Sequence, residues 1–149
     1  MSTVNNFQII TELPGNLAHQ EQIDAMLTRY LWASEYCHSK SILEVACGAG
    51  IGLGLLAENA NMVVGGDIDT SMLKVANRTY SQISNIKIQE LDASNLNFSS
   101  NSLDLVLCFE AIYYFPSLSL FLLEVKRILE KNGNLLISTV NPKWHGFNP

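Results

Sequence analysis

The chain has 149 residues, of which 48% are hydrophobic and 15% charged, and its formal net charge is −5. This length and apolar content suit one globular domain with its own core. The acidic balance, without a Lys/Arg cluster, argues against nucleic acid as the main partner. The three cysteines are widely spaced, which predicts reduced, buried thiols rather than a disulfide framework or a zinc site. Neither a signal peptide nor an apolar run of the about 20 residues that span a bilayer is found, so we expect no membrane partner and a cytoplasmic location.

The first segment, residues 1–16, is polar apart from one short apolar patch, and we interpret it as an N-terminal arm ahead of a domain over 17–149. Next, apolar residues at helical spacing predict an amphipathic helix of about 20 residues, with Asn16 as its cap. Strand-like and helix-like segments then alternate. The predicted strands are 41–47, 62–67, 86–91, 103–109 and 134–140, and the predicted helices are 51–60, 70–83 and 117–130, with Lys131-Asn132-Gly133 as a helix stop.

Alternation of this kind predicts a doubly wound α/β fold, a Rossmann-like and mostly parallel sheet with helices on both faces. The fourth and fifth strands carry apolar residues on both faces, which is typical of a buried parallel sheet. Such sheets bind ligands at the carboxyl ends of their strands, near the point where the strand order reverses. The first predicted strand ends at Cys47 and leads into a glycine-rich loop, which therefore lies where ligands bind.

Four glycines at alternate positions, 48 to 54, allow positive φ and close approach of the backbone to a ligand, although a tight turn without a ligand is the alternative. A nucleoside triphosphate loop is excluded, because the first lysine after the glycines is Lys74. A dinucleotide fingerprint needs a small residue where Leu53 stands. Its spacing is kept only by Gly52, Gly54 and Ala57, so the match to an NAD-dependent oxidoreductase is weak. The remaining class is a methionine-like tail joined to an adenosine.

Acidic residues follow the next two strands. Asp67 ends the second strand, and its carboxylate can accept from both hydroxyls of a ribose, whereas we assign Asp69 to the cap of the next helix. Asp92 follows the third strand and can accept from an adenine amino group, with the Ala93 N–H facing a ring nitrogen. The alternative for Asp92 is an Asx turn.

Five pieces of the sequence, in this order and spacing, resemble the class I S-adenosylmethionine-dependent methyltransferases, in particular the small-molecule type called methyltransferase type 11. The pieces are EVACGAGIG (44–52), VVGGDID (63–69), IQELDASNLNF (88–98), LDLVLCFEAIYYF (103–115) and RILEKNGNLLIS (127–138). The resemblance implies a seven-stranded sheet whose last strand is antiparallel. It also implies S-adenosylmethionine as methyl donor and a small-molecule acceptor.

The resemblance further implies a set of cofactor-binding residues. Glu44 would order the glycine loop near the amino group of the donor, Ile68 would lie against the adenine, and Phe109 would pass near the methionine part. The full set comprises Glu44, Ala46, Gly48, Gly50, Asp67, Ile68, Asp92, Ala93 and Phe109.

Two features depart from the family pattern. Asn132 stands where the family usually has proline, and the sequence stops at Pro149, before the family's sixth and seventh strands. We therefore expect a fragment of a longer chain. Without those strands the fifth strand is an open edge, and open edges pair with other chains, which predicts a homodimer.

Methyl transfer from a sulfonium depends mainly on placement of the reactants, and a general base is needed only for a hydroxyl or an acidic carbon. No catalytic residue is assigned, and the candidates for a base are Glu110, Tyr113, Tyr114, His19 and His145. Each has a structural alternative: a turn for the glutamate, a pocket wall for the tyrosines, an exposed helix position for His19. A binding module without turnover is the alternative function.

Overall fold

A computed structural model describes residues 20–141 and 143 of the chain. The proposed arm (1–16), the predicted cap Asn16 and the candidates His19 and His145 lie outside the described residues. The first helix, α1, spans Gln20–Ser34. It ends earlier than Cys37, the last residue of the predicted apolar pattern. The i→i−3 bond from the Cys37 N–H to the Ser34 carbonyl (3.1 Å) belongs to a tighter turn that follows the helix.

The five strands and the remaining α-helices follow in this order: β1 (Ser41–Val45), α2 (Leu53–Ala57), β2 (Met62–Asp67), α3 (Thr70–Tyr80), β3 (Ile86–Glu90), β4 (Leu103–Phe109), α4 (Leu118–Ile128) and β5 (Leu129–Ser138). The sheet order is β3-β2-β1-β4-β5 and every pairing is parallel. The doubly wound α/β prediction is confirmed. The order reverses between β1 and β4, so the switch point lies beside the carboxyl end of β1.

Helices cover both faces of the sheet, as the alternation along β1 demonstrates. Ile42 packs in a cluster with residues of α1, α2 and α3, whereas Leu43 packs in a second cluster with Phe121 and Val125 of α4. Successive residues of a strand point to opposite faces. Burial on both faces explains the apolar residues on both faces of β1 and β4, whereas most of β5, at the edge of the sheet, is not buried.

Several predicted bounds are wrong for identifiable reasons. β1 stops at Val45 instead of Cys47 because Ala46 takes φ +58°, in the left-handed region. α2 spans five residues instead of 51–60, and its open Ala57 carbonyl accepts from the Asn85 side chain (2.9 Å). α3 ends at Tyr80 rather than 83.

The predicted helix stop at Lys131-Asn132-Gly133 is an irregularity inside β5. The helix has already ended at Ile128, and β5 begins at once and ends at Ser138 rather than Val140. Its register with β4 jumps from Leu103–Leu129 to Leu105–Asn134, with Asn132 at φ +72° inside the jump. At the start of α4, Ser117 accepts from the Leu120 N–H (3.3 Å) and is the cap rather than the first helical residue.

Candidate functional site

A cavity of about 680 Å³ opens at the carboxyl ends of the central strands, at the switch point. Its wall comes from α1, the loop after β1, the ends of β2 and β4, and the segment that follows β3. Most of the sequence-predicted cofactor residues line it. They are Glu44, Ala46, Gly48, Asp67, Ile68, Asp92, Ala93 and Phe109.

The glycines of the 48–54 loop do different things. Gly48 has φ +55°, and an added Cβ would meet nothing within 4 Å, so this glycine leaves open space beside the cavity. Gly50 also has a positive φ, +76°, but it is not part of the cavity wall, contrary to its predicted place beside the donor. Its α-carbon faces Leu53, Tyr80 and Ala76 instead.

Gly52 and Gly54 also face protein side chains. A Cβ on Gly52 would lie 2.0 Å from Cε1 of Tyr30, and a Cβ on Gly54 would lie 3.3 Å from Cε1 of Tyr80. The loop is therefore held between a tyrosine of α1 and a tyrosine of α3. Its glycine content is explained as much by the close approach of these rings as by a ligand.

Asp67 ends β2 and is only 9% exposed. Its Oδ2 accepts from the Gly48 N–H (2.7 Å) and its Oδ1 accepts from the Asp69 N–H (2.8 Å). Asp69 itself accepts from the N–H groups of Ser71 (2.8 Å) and Met72 (3.4 Å), which confirms its role as the cap of α3. A hydrogen bond from the Ser71 hydroxyl (2.6 Å), with smaller help from these N–H groups, lowers the pKa of Asp69. Asp67 thus ties the glycine loop to the end of β2 and is held in a fixed orientation at the cavity wall.

Glu44 is 2% exposed on β1 and accepts a 2.6 Å hydrogen bond at Oε1 from the Tyr30 hydroxyl. The Tyr30 ring packs edge-on against Phe109, with the ring centroids 5.3 Å apart. Tyr30 and Phe109 also line the cavity. Burying a carboxylate costs free energy unless the carboxylate is hydrogen-bonded, and the bond from Tyr30 offsets part of that cost for Glu44.

Asp92 lies two residues beyond β3 and forms the turn that the sequence offered as its alternative role. Its Oδ1 accepts from the Ser94 N–H (2.7 Å), and the residue is exposed. It lines the cavity with Ala93, while Ile68, 64% exposed, lies at the rim after β2. The turn and a place at the cavity are therefore compatible.

Glu110 directly follows β4 at φ +50° and lines the cavity. Its N–H donates to the Ser138 carbonyl (2.8 Å), and the Ser138 hydroxyl lies 3.1 Å from Oε1. Its Oε2 is buried and has no hydrogen-bond partner among the described residues. Tyr113 and Tyr114, with ring centroids 4.5 Å apart, complete this side of the cavity. Of the candidate bases, these three reach the site.

The three cysteines are buried free thiols, as predicted. Cys47 lines the cavity, but burial, with Glu44 and Asp67 nearby, raises its pKa well above the ordinary value. A protonated thiol is a poor nucleophile and a poor metal ligand. Within residues 20–141 and 143, no cluster of His, Cys, Asp or Glu fits a metal ion.

Sequence reasoning missed Arg29, the one cationic side chain among the described residues of the cavity wall. Its guanidinium lies 5.7 Å from the centre of the Tyr30 ring. It shares the cavity with the carboxylates of Glu44, Asp67, Asp69, Asp92 and Glu110. In the sequence, Arg29 stands out only by its position beside Tyr30 on an amphipathic helix. That position does not predict which strands the helix packs over.

Comparison with known proteins identifies the family. A family profile described as a methyltransferase domain matches residues 43–137. The chain is 34% identical over 105 residues to phthiotriol/phenolphthiotriol dimycocerosates methyltransferase 1 of Mycobacterium ulcerans, covering 69% of this chain and 38% of that protein. It is 25% identical over 134 residues to the ubiquinone biosynthesis O-methyltransferase of Coxiella burnetii, covering 89% and 57% of the two proteins.

Solved structures agree. An S-adenosylmethionine-dependent methyltransferase from Mesorhizobium loti superimposes with a TM-score of 0.67 at 25% identity, covering 74% of this chain and 52% of that one. These findings do not support the NAD-dependent alternative. The chain spans about half the length of the relatives named here. It belongs to the class I S-adenosylmethionine-dependent methyltransferase family.

Proposed function

We propose that this chain binds S-adenosylmethionine in the cavity and transfers its methyl group to an apolar small-molecule acceptor. The observation that carries the proposal is the set of three carboxylates at or just after neighbouring strand ends, Glu44, Asp67 and Asp92, around the sterically open Gly48. Three acceptors in a row match the ammonium, the ribose hydroxyls and the adenine amino group of one elongated ligand. The volume, about 680 Å³, lies within the range of about 300–1,000 Å³ typical of small-molecule sites.

The residues present fit this ligand. A carboxylate offers about four lone-pair sites, and the two backbone N–H groups on Asp67 use one on each oxygen. Both oxygens can therefore accept from a vicinal diol. The open space at Gly48 lets a ligand approach the backbone where any other side chain would stand.

Charge complementarity supports the same ligand. The buried Glu44 would face the donor's ammonium and Arg29 its carboxylate, which together accommodate a zwitterion. The wall as a whole carries the carboxylates of Glu44, Asp67, Asp69, Asp92 and Glu110 against one guanidinium. This excess of negative charge favours a cationic ligand over a neutral one.

When bound, the donor would supply a methyl group activated by its sulfonium: the acceptor would bond to the methyl carbon in line as the carbon–sulfur bond breaks, and the sulfur would leave as a thioether. The chain's task is to orient the reactants and exclude water, which provides most of the rate gain in such a reaction. Ile51, Tyr113, Tyr114, Phe115 and Val140 form an apolar part of the wall. We propose that an apolar acceptor lies there. The relative named for ubiquinone biosynthesis supports this class.

Glu110 is the residue we propose as general base if the acceptor is a hydroxyl. Its buried Oε2 can take a proton while Oε1 is held by Ser138. Replacing it with glutamine would lower turnover of a hydroxyl acceptor far more than it lowers donor affinity.

Isothermal titration with S-adenosylhomocysteine tests donor binding, with NAD as the competing ligand. We expect micromolar affinity, about −8 kcal/mol, for the first ligand alone. Asp67→Ala should abolish it, whereas the exposed Glu35→Ala, outside the cavity wall, should not. Incorporation of labelled methyl groups into a lipid extract then separates a transferase from a binding module. Binding of NAD instead would refute the proposal.

We also propose a cytoplasmic location and a homodimer. Among the described residues no helix is long and apolar enough to cross a membrane, and the thiols are reduced. β5 pairs with β4 on one side and with no other described strand on the other. Light scattering should give twice the monomer mass if the β5 edges pair. A monomer at high concentration would exclude that pairing.

A further inference from the structure

Tyr80, the last residue of α3, bonds two points of the glycine loop with one hydroxyl. The hydroxyl donates to the Gly50 carbonyl (2.6 Å) and accepts from the Gly54 N–H (3.3 Å). The ring lies directly on the loop. A Cβ added to Gly50 would come within 3.1 Å of Cε2, and one added to Gly54 within 3.3 Å of Cε1.

The bond to Gly54 replaces a missing helix cap. The first N–H groups of a helix have no partner within the helix, and a side chain at the cap position normally accepts one of them. The cap residue of α2 is Gly52, which has no side chain and makes no such bond. The Tyr80 hydroxyl accepts instead from the N–H of Gly54, the second residue of α2. The bond to Gly50 fixes the carbonyl of a residue in the left-handed region, at φ +76°.

The loop has two sides. Tyr80 holds it from the side of α3, and Tyr80 is not part of the cavity wall. Gly48, Ala49 and Ile51 face the cavity. The hydroxyl therefore joins the left-handed turn to the start of α2 without contacting a ligand.

We propose that Tyr80 is a positioning residue that holds the glycine loop in the shape that receives the methionine end of the donor. The inference rests on the proposed donor binding. A loop ordered before binding loses little conformational freedom when the ligand arrives, so the affinity for that part of the ligand is higher. The adenosine end would lie against Asp67, Ile68 and Asp92, and the Tyr80 hydroxyl bonds Gly50 and Gly54 rather than any of these three residues.

The test is Tyr80→Phe, which keeps the ring and removes the hydroxyl. Tyr36→Phe is the matched control, because Tyr36 lies beyond α1 and outside the cavity wall. Titration with S-adenosylhomocysteine and with adenosine gives the decisive readout. We expect Tyr80→Phe to weaken S-adenosylhomocysteine about fivefold to tenfold, as one or two hydrogen bonds imply, with adenosine within about twofold. Equal weakening of both ligands, or of neither, would overturn the inference.

Amide hydrogen exchange tests the loop without a ligand. The Gly54 amide should exchange faster in Tyr80→Phe than in the control, with the strand amides unchanged. Unchanged exchange at Gly54 would also overturn the inference. If the unaltered chain fails to bind S-adenosylhomocysteine, the proposed function fails, and the exchange result alone then decides the role of Tyr80.

Discussion

The close approach of Tyr30 to Gly52 makes Gly52→Ala the sharpest test of how the loop is held. A Cβ at this position would lie 2.0 to 2.3 Å from Cε1, Cζ and Cδ1 of the Tyr30 ring. Gly52 has φ −100°, which alanine adopts without strain, so the clash alone sets the cost. The ring cannot move without breaking contacts, because it is 4% exposed, packs against Phe109 and donates to Glu44.

The expected loss follows from these contacts. Overpacking of a filled core costs about 1–3 kcal/mol. The ring must also shift, which breaks its hydrogen bond to the Glu44 carboxylate, a further loss of about 1.5–3 kcal/mol. Alanine recovers about 0.4–1 kcal/mol by restricting the unfolded chain. We therefore expect the free energy of unfolding to fall by about 2–4 kcal/mol, a large share of the about 5–15 kcal/mol of an ordinary domain.

Urea unfolding followed by circular dichroism measures this loss as a lower midpoint with an unchanged slope. The same substitution in a Tyr30→Leu background removes the clash, and there it should cost less than about 1 kcal/mol. A loss below about 0.5 kcal/mol in the unaltered background, or the same loss in both backgrounds, would refute the reasoning.

Three further predictions concern the same region. Gly48→Ala meets no atom within 4 Å and costs only the strain of φ +55°, about 1–2 kcal/mol in urea unfolding, while titration should show weaker S-adenosylhomocysteine binding. Ala46→Gly relieves the backbone strain of φ +58° and should raise the free energy of unfolding by up to about 1 kcal/mol, seen as a higher urea midpoint. A lower midpoint would contradict this. Burial raises the pKa of Cys37 to about 11 and that of Cys108 to about 12, from 9.0. Because the thiols of the unfolded chain ionise first, their contribution to stability should be level below pH 9.0 and fall as the pH rises towards 11. Urea midpoints at pH 8 and pH 10 check this, and equal midpoints would count against it.

The sequence by itself determined the order of elements, the fold class and part of the cavity wall. Strand and helix periodicity and the cap at Asp69 are short-range signals, readable within a few residues. Strand ends in a parallel sheet meet at one edge, so the glycine loop, Asp67 and Asp92 were predicted to converge without any knowledge of packing, whereas the place of Glu44 came from the family resemblance.

Only the tertiary structure decided what each glycine does. Gly48 faces the cavity, Gly52 receives the ring of Tyr30, and Gly50 and Gly54 receive Tyr80. The hydrogen bond from Tyr80 to Gly50 joins residues 30 positions apart, and no local pattern encodes a contact at that separation. The left-handed Ala46 and the irregular start of β5 have the same cause, because packing against neighbouring elements overrides the local preference of a short segment.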